Sequence, residues 1–235
     1  MTTAASVSSG TEPSSNARAV LVEACCDSVY TAVAAVEAGA ERIELCGPGD
    51  GGTTPSLGLI ARCRDLVTVP IHLMIRPHTR DFVYHDDDLD VMANDIVTAR
   101  TLGIDGIVLG PLQRDDTVHS KQLMELAQLA QGMTVVFHRA FDRTPDPFAA
   151  LHALMSCGVR MVLTSGQAPT ALAGSATLNA LRQRGGDRIT ILAGGGIRGN
   201  NVRDVVQRSE VRQVHARGTD PAIIRDVVQA LHAAP

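Results

Sequence analysis

Two short runs of the 235-residue chain repeat one pattern. Glu23-Ala24-Cys25 in "VEACC" and Glu44-Leu45-Cys46 in "IELC" both read Glu-x-Cys. In an extended strand, residues two apart share a face, so each run shows an acid and a thiol on one side and apolar side chains on the other. Thiolate sulfur is a soft ligand that selects Cu(I) and Zn(II) over hard cations. Cysteine is also among the most buried residue types and often only fills space. Neighbouring strands lie about 4.8 Å apart, so two such thiols on adjacent strands could meet one ion. Cys26 has the opposite parity, and Cys63 and Cys157 fall in helical segments; all three read as packing.

The same parity sorts the other runs. Ile71, Leu73 and Ile75 form an apolar stripe that leaves His72, Met74 and Arg76 on the other face. Val135 and Phe137 leave Val136 and His138, and His215 shares a face with Val211 and Gln213. Two glutamates, three histidines, an arginine and two cysteines therefore point the same way if these runs are strands of one sheet. Burying such charge without partners costs several kcal/mol per ion. The set is either a self-satisfied network, with Glu23 and Glu44 paired to Arg76 and the imidazoles, or the lining of a site.

The runs that must position these residues recur along the chain. Apolar, β-rich stretches at 20–26, 42–46, 71–76, 106–112, 134–141, 160–164, 188–193 and 212–216 alternate with helix-like segments. One such segment spans about 89–102, and Ile223, Ile224, Val227, Val228 and Leu231 mark the last. Gly39, Gly103, Gly132, Gly158 and Gly185/Gly186 fall where helices should close. Eight strand–helix repeats predict a single (β/α)8 TIM barrel over 19–235, with parallel strands and the functional mouth at their carboxyl ends. An open doubly wound sheet would carry a dinucleotide fingerprint after its first strand, and "CCDSVYTAV" has none. Residues 1–18, rich in Ser, Thr and Ala, read as a disordered tail.

Composition narrows the partners. A net charge of −4 and 3% aromatic residues argue against nucleic acid. No apolar run approaches the roughly 20 residues of a membrane span. Five cysteines without framework spacing and no signal peptide imply reduced thiols in the cytoplasm. "AGGGIRGN" and "ARGTDP", after the seventh and eighth strands, occupy the place where barrels often hold phosphate on backbone N–H groups, although glycine also simply permits tight turns. In "HTRDFVYHDDD" the three aspartates Asp86–Asp88 suit a helix start better than a metal.

The ordered motifs "EACCDS", "RIELC", "GGTTPSLG", "IRPHTRDFVY", "FHRAFD", "LTSGQ" and "AGGGIR" make the chain from about Val20 to His215 resemble the CutC family, named for copper homeostasis. The resemblance implies a cytoplasmic, homo-oligomeric TIM barrel and Cu(I) binding through two cysteines at the mouth. By motif these are Cys25 or Cys26 with Cys46, and strand parity selects Cys25. The ligand-binding set expected around them is His72, Arg76, His138, Arg139, Thr164, Ser165, Gly195, Gly196 and His215. A second reading is an enzyme acting on a small metabolite, phosphorylated or not. In it Glu23 or Glu44 is the general base, His138 the acid and Arg76 the anion anchor. The sequence leaves open whether there is catalysis.

Overall fold

The computed structural model describes residues 20–47 and 52–233; the expected tail and Gly51 of the glycine-rich motif lie outside them. Eight strands, β1 (Leu21–Cys26), β2 (Arg42–Leu45), β3 (Ile71–Met74), β4 (Gly106–Leu109), β5 (Thr134–Phe137), β6 (Met161–Thr164), β7 (Thr190–Gly194) and β8 (Gln213–Arg217), close in chain order into a parallel barrel. A helix follows each: α1 (Val29–Glu37), α2 (Leu57–Leu66), α3 (Asp86–Thr101), α4 (Ser120–Leu129), α5 (Pro147–Ser156), α6 (Ser175–Gly185), α7 (Val202–Ser209) and α8 (Pro221–His232). The chain is a (β/α)8 TIM barrel, as the sequence pattern predicts.

Several helix starts are set by one residue type. Ser28 and Ser56 accept N–H bonds from Thr31 and Leu59, while Asp146 and Asp220 do the same ahead of Pro147 and Pro221. These side chains satisfy donors that an open helix end would leave bare, and proline at the first helical position loses nothing. The three aspartates Asp86–Asp88 form the first turn of α3, which therefore starts earlier than the apolar spacing alone indicates.

Strand parity divides the interior in two. Val22, Ala24, Cys26, Ile43, Leu45, Ile71, Leu73 and Phe137 belong to the large cluster between sheet and helices. Cys46, Met74, Val108, Val136, Met161, Leu163 and Leu192 form a second cluster, with Cys25 against it. This second set is the barrel's own filling. Val211 departs from the expected alternation: β8 begins only at Gln213, and Val211 packs with the outer cluster.

Two strands end three or more residues sooner than their apolar runs. β4 stops at Leu109, and Leu112 instead bridges Val118 within the loop that follows. β5 stops at Phe137 because the His138 ring accepts the Ala140 N–H, which opens a 3-10 turn over Arg139–Arg143. The parallel register does the positioning that matters most. It sets Glu23 level with Arg42 on one side and His215 on the other, and Glu44 level with Cys25 and His72.

Gly110 is the close approach that lets His138 stand inside: a Cβ there would lie 2.2 Å from His138 Cε1. Gly110→Ala is therefore expected to cost about 1–3 kcal/mol in urea unfolding, the usual range for overpacking. Gly58→Ala, in α2 with nothing within 4 Å of the added carbon, should be neutral or stabilising by up to about 1 kcal/mol.

Candidate metal and ligand site

The carboxyl ends of the strands enclose a cavity of about 810 Å³. Its wall on the β1–β2 side carries Cys25, Glu44, Cys46 and Met74, with His215 from β8 beside them. The far wall carries His138 and Arg139 after β5 and Gly195–Arg198 after β7. Phe82, in the loop after β3, also lines the cavity, with the Arg76 guanidinium 4.7 Å above its ring centroid.

Beneath the thiols lies a buried polar network centred on Glu23, which is 1% exposed. Arg42 Nε donates to Glu23 Oε2, and His215 Nδ1 lies 2.7 Å from Oε1. His72 Nδ1 is 3.3 Å from Oε2. Arg42 is itself tied down, donating to Gln213 Oε1 at 2.8 Å and approaching Met161 Sδ at 3.4 Å. Burial opposes ionisation of Glu23, but bonds to His215 and His72 and the Arg42 charge outweigh it and hold the carboxyl well below its usual range.

The second carboxyl goes the other way. Burial pushes Glu44 up, with the charges of Cys25 and Glu23 adding to it and His215 opposing. Burial also works against a charged His215, yet Glu44, Cys25 and Glu23 together hold the imidazole in its protonated form. Its Nε2 lies 3.7 Å from Glu44 Oε2.

The thiols share this polarisation. Cys25 Sγ and Cys46 Sγ are 3.9 Å apart, and Cys46 Sγ lies 3.6 Å from Glu44 Oε2. A hydrogen bond from Cys46, then the bond and charge of His215, bring Cys25 well below the usual thiol range despite its burial. Cys46 is pushed up, first by that bond to Cys25 and then by burial and Glu44. One sulfur thus has thiolate character while its neighbour keeps its proton. Cys25, Glu44 and Cys46 each offer a ligand atom within 4.8 Å of the others, as do Glu23, Glu44 and His215. Cys26, by contrast, is buried in the outer cluster, and its thiol is raised mainly by burial.

His138 is isolated from both groups. Its Nδ1 accepts the Ala140 N–H, so the ring proton sits on Nε2. Burial and the nearby Arg76 charge lower its pKa to about 3. It is neutral at physiological pH, with an Nε2–H that takes no acceptor among the described residues.

Of the residues expected at the site, Cys25, Glu44, Cys46, Arg76, His138, Arg139, Gly195, Gly196 and His215 line the cavity. Glu23 and His72 lie in the network beneath it. Thr164 and Ser165 do not reach it: the Thr164 hydroxyl donates to Asp142, and the single Ser165 hydroxyl proton is shared between Asp142 and the Ala168 carbonyl. Asp142, which the sequence reading missed, also takes the N–H groups of Ser165 and Gln167 and the Nε of Arg139. Arg42 was missed too, though its parity with Glu44 marks it as inward-facing.

Two variants probe these features. Arg42→Ala strands the Glu23 charge and is expected to lower stability by about 3–5 kcal/mol in chemical denaturation. For His138, the unfolded chain takes up a proton below about pH 6.5, whereas the folded protein takes one up only near pH 3. The His138 contribution is therefore complete above pH 6.5 and lost as pH falls through that window. Relative to His138→Gln, the wild type should lose about 1.4 kcal/mol per pH unit in urea unfolding below pH 6.5.

Comparison with known proteins agrees with this architecture. The CutC family matches residues 20–219. A CutC family protein of Chromobacterium violaceum is 41% identical over 197 residues, covering 83% of this chain and 80% of that protein. The human copper homeostasis protein cutC homolog is 41% identical over 206 residues, covering 86% of this chain and 76% of that protein. The crystal structure of CutC from Streptococcus agalactiae superposes with a TM-score of 0.80 at 31% identity, over 83% of this chain and 97% of that one. With the family matched over almost the whole barrel, this chain belongs to the CutC family.

Proposed function

We propose that the protein binds Cu(I) between Cys25 and Cys46 and serves copper handling in the cytoplasm as a homo-oligomer. The 3.9 Å separation of the two sulfurs carries this reading. Two metal–thiolate bonds of about 2.3 Å span up to about 4.6 Å, so both sulfurs reach one ion without rearrangement. Sulfur donors suit a soft monovalent ion, and Met74, on the same wall, offers a thioether as a third. His215 is a poorer third ligand, because protonation occupies the nitrogen lone pair. The copper homeostasis name of the human relative supports the same reading.

A second reading, acid–base catalysis on a small metabolite, is favoured by the opposite displacement of the two carboxyls. Glu23 is held ionised and orients His215, while Glu44 is held protonated beside the cavity. Paired groups driven apart in this way are how one site supplies both an acid and a base. In this arrangement the proton donors are Glu44 and His215.

Anaerobic titration with Cu(I) against a competing chelator separates the two readings. The wild type should hold one ion per chain. Cys25→Ser combined with Cys46→Ser should weaken it at least about 100-fold, or about 2.7 kcal/mol. Equal affinity in the double variant would remove the thiol pair from the copper reading.

A further inference from the structure

A single ion between two sulfurs fills little of a cavity of about 810 Å³, a size that suits an organic ligand. We propose that the wall opposite the thiols binds the phosphate group of a small phosphorylated metabolite through the amides of Gly195, Gly196 and Ile197, the guanidinium groups of Arg139 and Arg198, and His138 Nε2. The site does not depend on the copper reading, since among the described residues no hydrogen bond joins any of these groups to the Cys25 or Cys46 sulfur, which bond each other and Glu44.

The loop after β7 is shaped for an anion. Gly195 and Gly196 are successive residues at φ 103° and 74°, a left-handed run that only glycine adopts cheaply and that turns neighbouring N–H groups to one side. The loop is held by its other face: the Gly195 carbonyl accepts from Ala171 N and the Gly196 carbonyl from Asn201 Nδ2, both at 2.8 Å. Among the described residues no protein acceptor takes the N–H of Gly195, Gly196 or Ile197. All three residues line the cavity.

Positive charge is fixed beside them. Arg139 is oriented by Asp142 at 2.8 Å through Nε and by Ser165 at 3.1 Å through Nη2. Its Nη1 lies 3.6 Å from where a Cβ on Gly195 would stand, so the remaining edge of the guanidinium faces the loop. This explains why Thr164, Ser165 and Asp142 are spent on one another: they hold Arg139 and the loop after β6 in register with the glycines. Arg198 follows directly on the same wall.

His138 supplies the independent observation. The residue is only 5% exposed, and its Nε2 has no partner among the described residues. An unmatched buried donor costs about 1–3 kcal/mol, which an oxyanion in the cavity would offset. Three amides, two guanidinium groups and an imidazole N–H offer more donors than the two oxygens of a carboxylate accept well, and they match the three terminal oxygens of a phosphate monoester. The organic part of the ligand would then extend towards Glu44, His215 and the thiols.

Calorimetric titration of the full-length protein with inorganic phosphate, and in parallel with acetate, tests the proposal. Saturable binding of one phosphate per chain is expected, with acetate much weaker. Arg139→Gln and Arg198→Gln should each weaken phosphate about tenfold, or about 1.4 kcal/mol. Gly196→Ala, which keeps every charge but strains the loop, should weaken it as well. Arg62→Gln on exposed α2 and the Cys25→Ser/Cys46→Ser protein should bind as the wild type does, with circular dichroism confirming that all variants are folded. Absence of saturable phosphate binding, equal binding of acetate, or phosphate affinity unchanged in the Arg139→Gln/Arg198→Gln double variant would each overturn the proposal. Loss of phosphate binding in the cysteine variant would do so too, by tying the anion to the thiol pair.

Discussion

The ionised carboxylate of Glu23 at the centre of the barrel is the constraint on which the rest of the site depends. A lone buried carboxylate would carry a desolvation penalty of several kcal/mol, enough to consume much of a domain's net stability. Arg42, His215 and His72 meet that penalty from both neighbouring strands and one beyond. They can do so only because the parallel register places Arg42 and His215 level with Glu23. A slip of one residue in β2 or β8 would turn these partners towards the helices and leave the charge alone. The polar floor therefore fixes the register of β1, β2 and β8 as strongly as it furnishes the cavity.

That floor polarises what sits above it. With Glu23 ionised and His215 charged against it, further negative charge nearby becomes selective. Cys25, beside the imidazolium and the Cys46 thiol, accepts it; Glu44, more deeply buried and facing two negative neighbours, does not. Acid and thiol stand on the same face of both strands in the sequence, yet the environment assigns them opposite protonation states. The repeated Glu-x-Cys is thus not a repeated function. In β1 the glutamate is the buried anion and the cysteine the half-buried thiolate. In β2 the glutamate is the neutral acid and the cysteine the proton donor.

Much of this was legible in the sequence because parity along a strand is a local property. Ile71, Leu73 and Ile75 identify their own outer face, and His72, Met74 and Arg76 follow from it. The eight-fold alternation of strand and helix similarly specifies the barrel without knowledge of any contact. What the sequence left obscure depends on contacts distant along the chain. Asp142 lies in a 3-10 turn after β5, and its partners come more than 20 residues later, after β6. Nothing in "FHRAFD" signals that its aspartate will collect Thr164, Ser165 and Gln167, so those hydroxyls read as ligand groups when they are structural. Arg42 was obscured differently. As the first residue of a short strand it resembles a solvated end, and only closure of the barrel brings Met161 and Gln213 around it.

The mouth of the barrel then separates two chemistries by strand number. β1, β2 and β8 bring sulfur, carboxyl and imidazolium groups whose charges balance internally and whose soft atoms face inward. β5 and β7 end in arginine, a neutral imidazole donor and amides that take no acceptor among the described residues, a surface rich in hydrogen to donate. Arg139 is paired to Asp142, but Asp142 stands behind it and not in the cavity, so that wall presents the guanidinium and not the carboxylate. A ligand that filled both halves would need an anionic end and a more reactive, less charged end reaching the thiols. A bare metal ion meets only the second half of that requirement. The donor-rich wall, with a buried imidazole N–H that has no partner among the described residues, is the half that a copper site alone leaves without a physical reason.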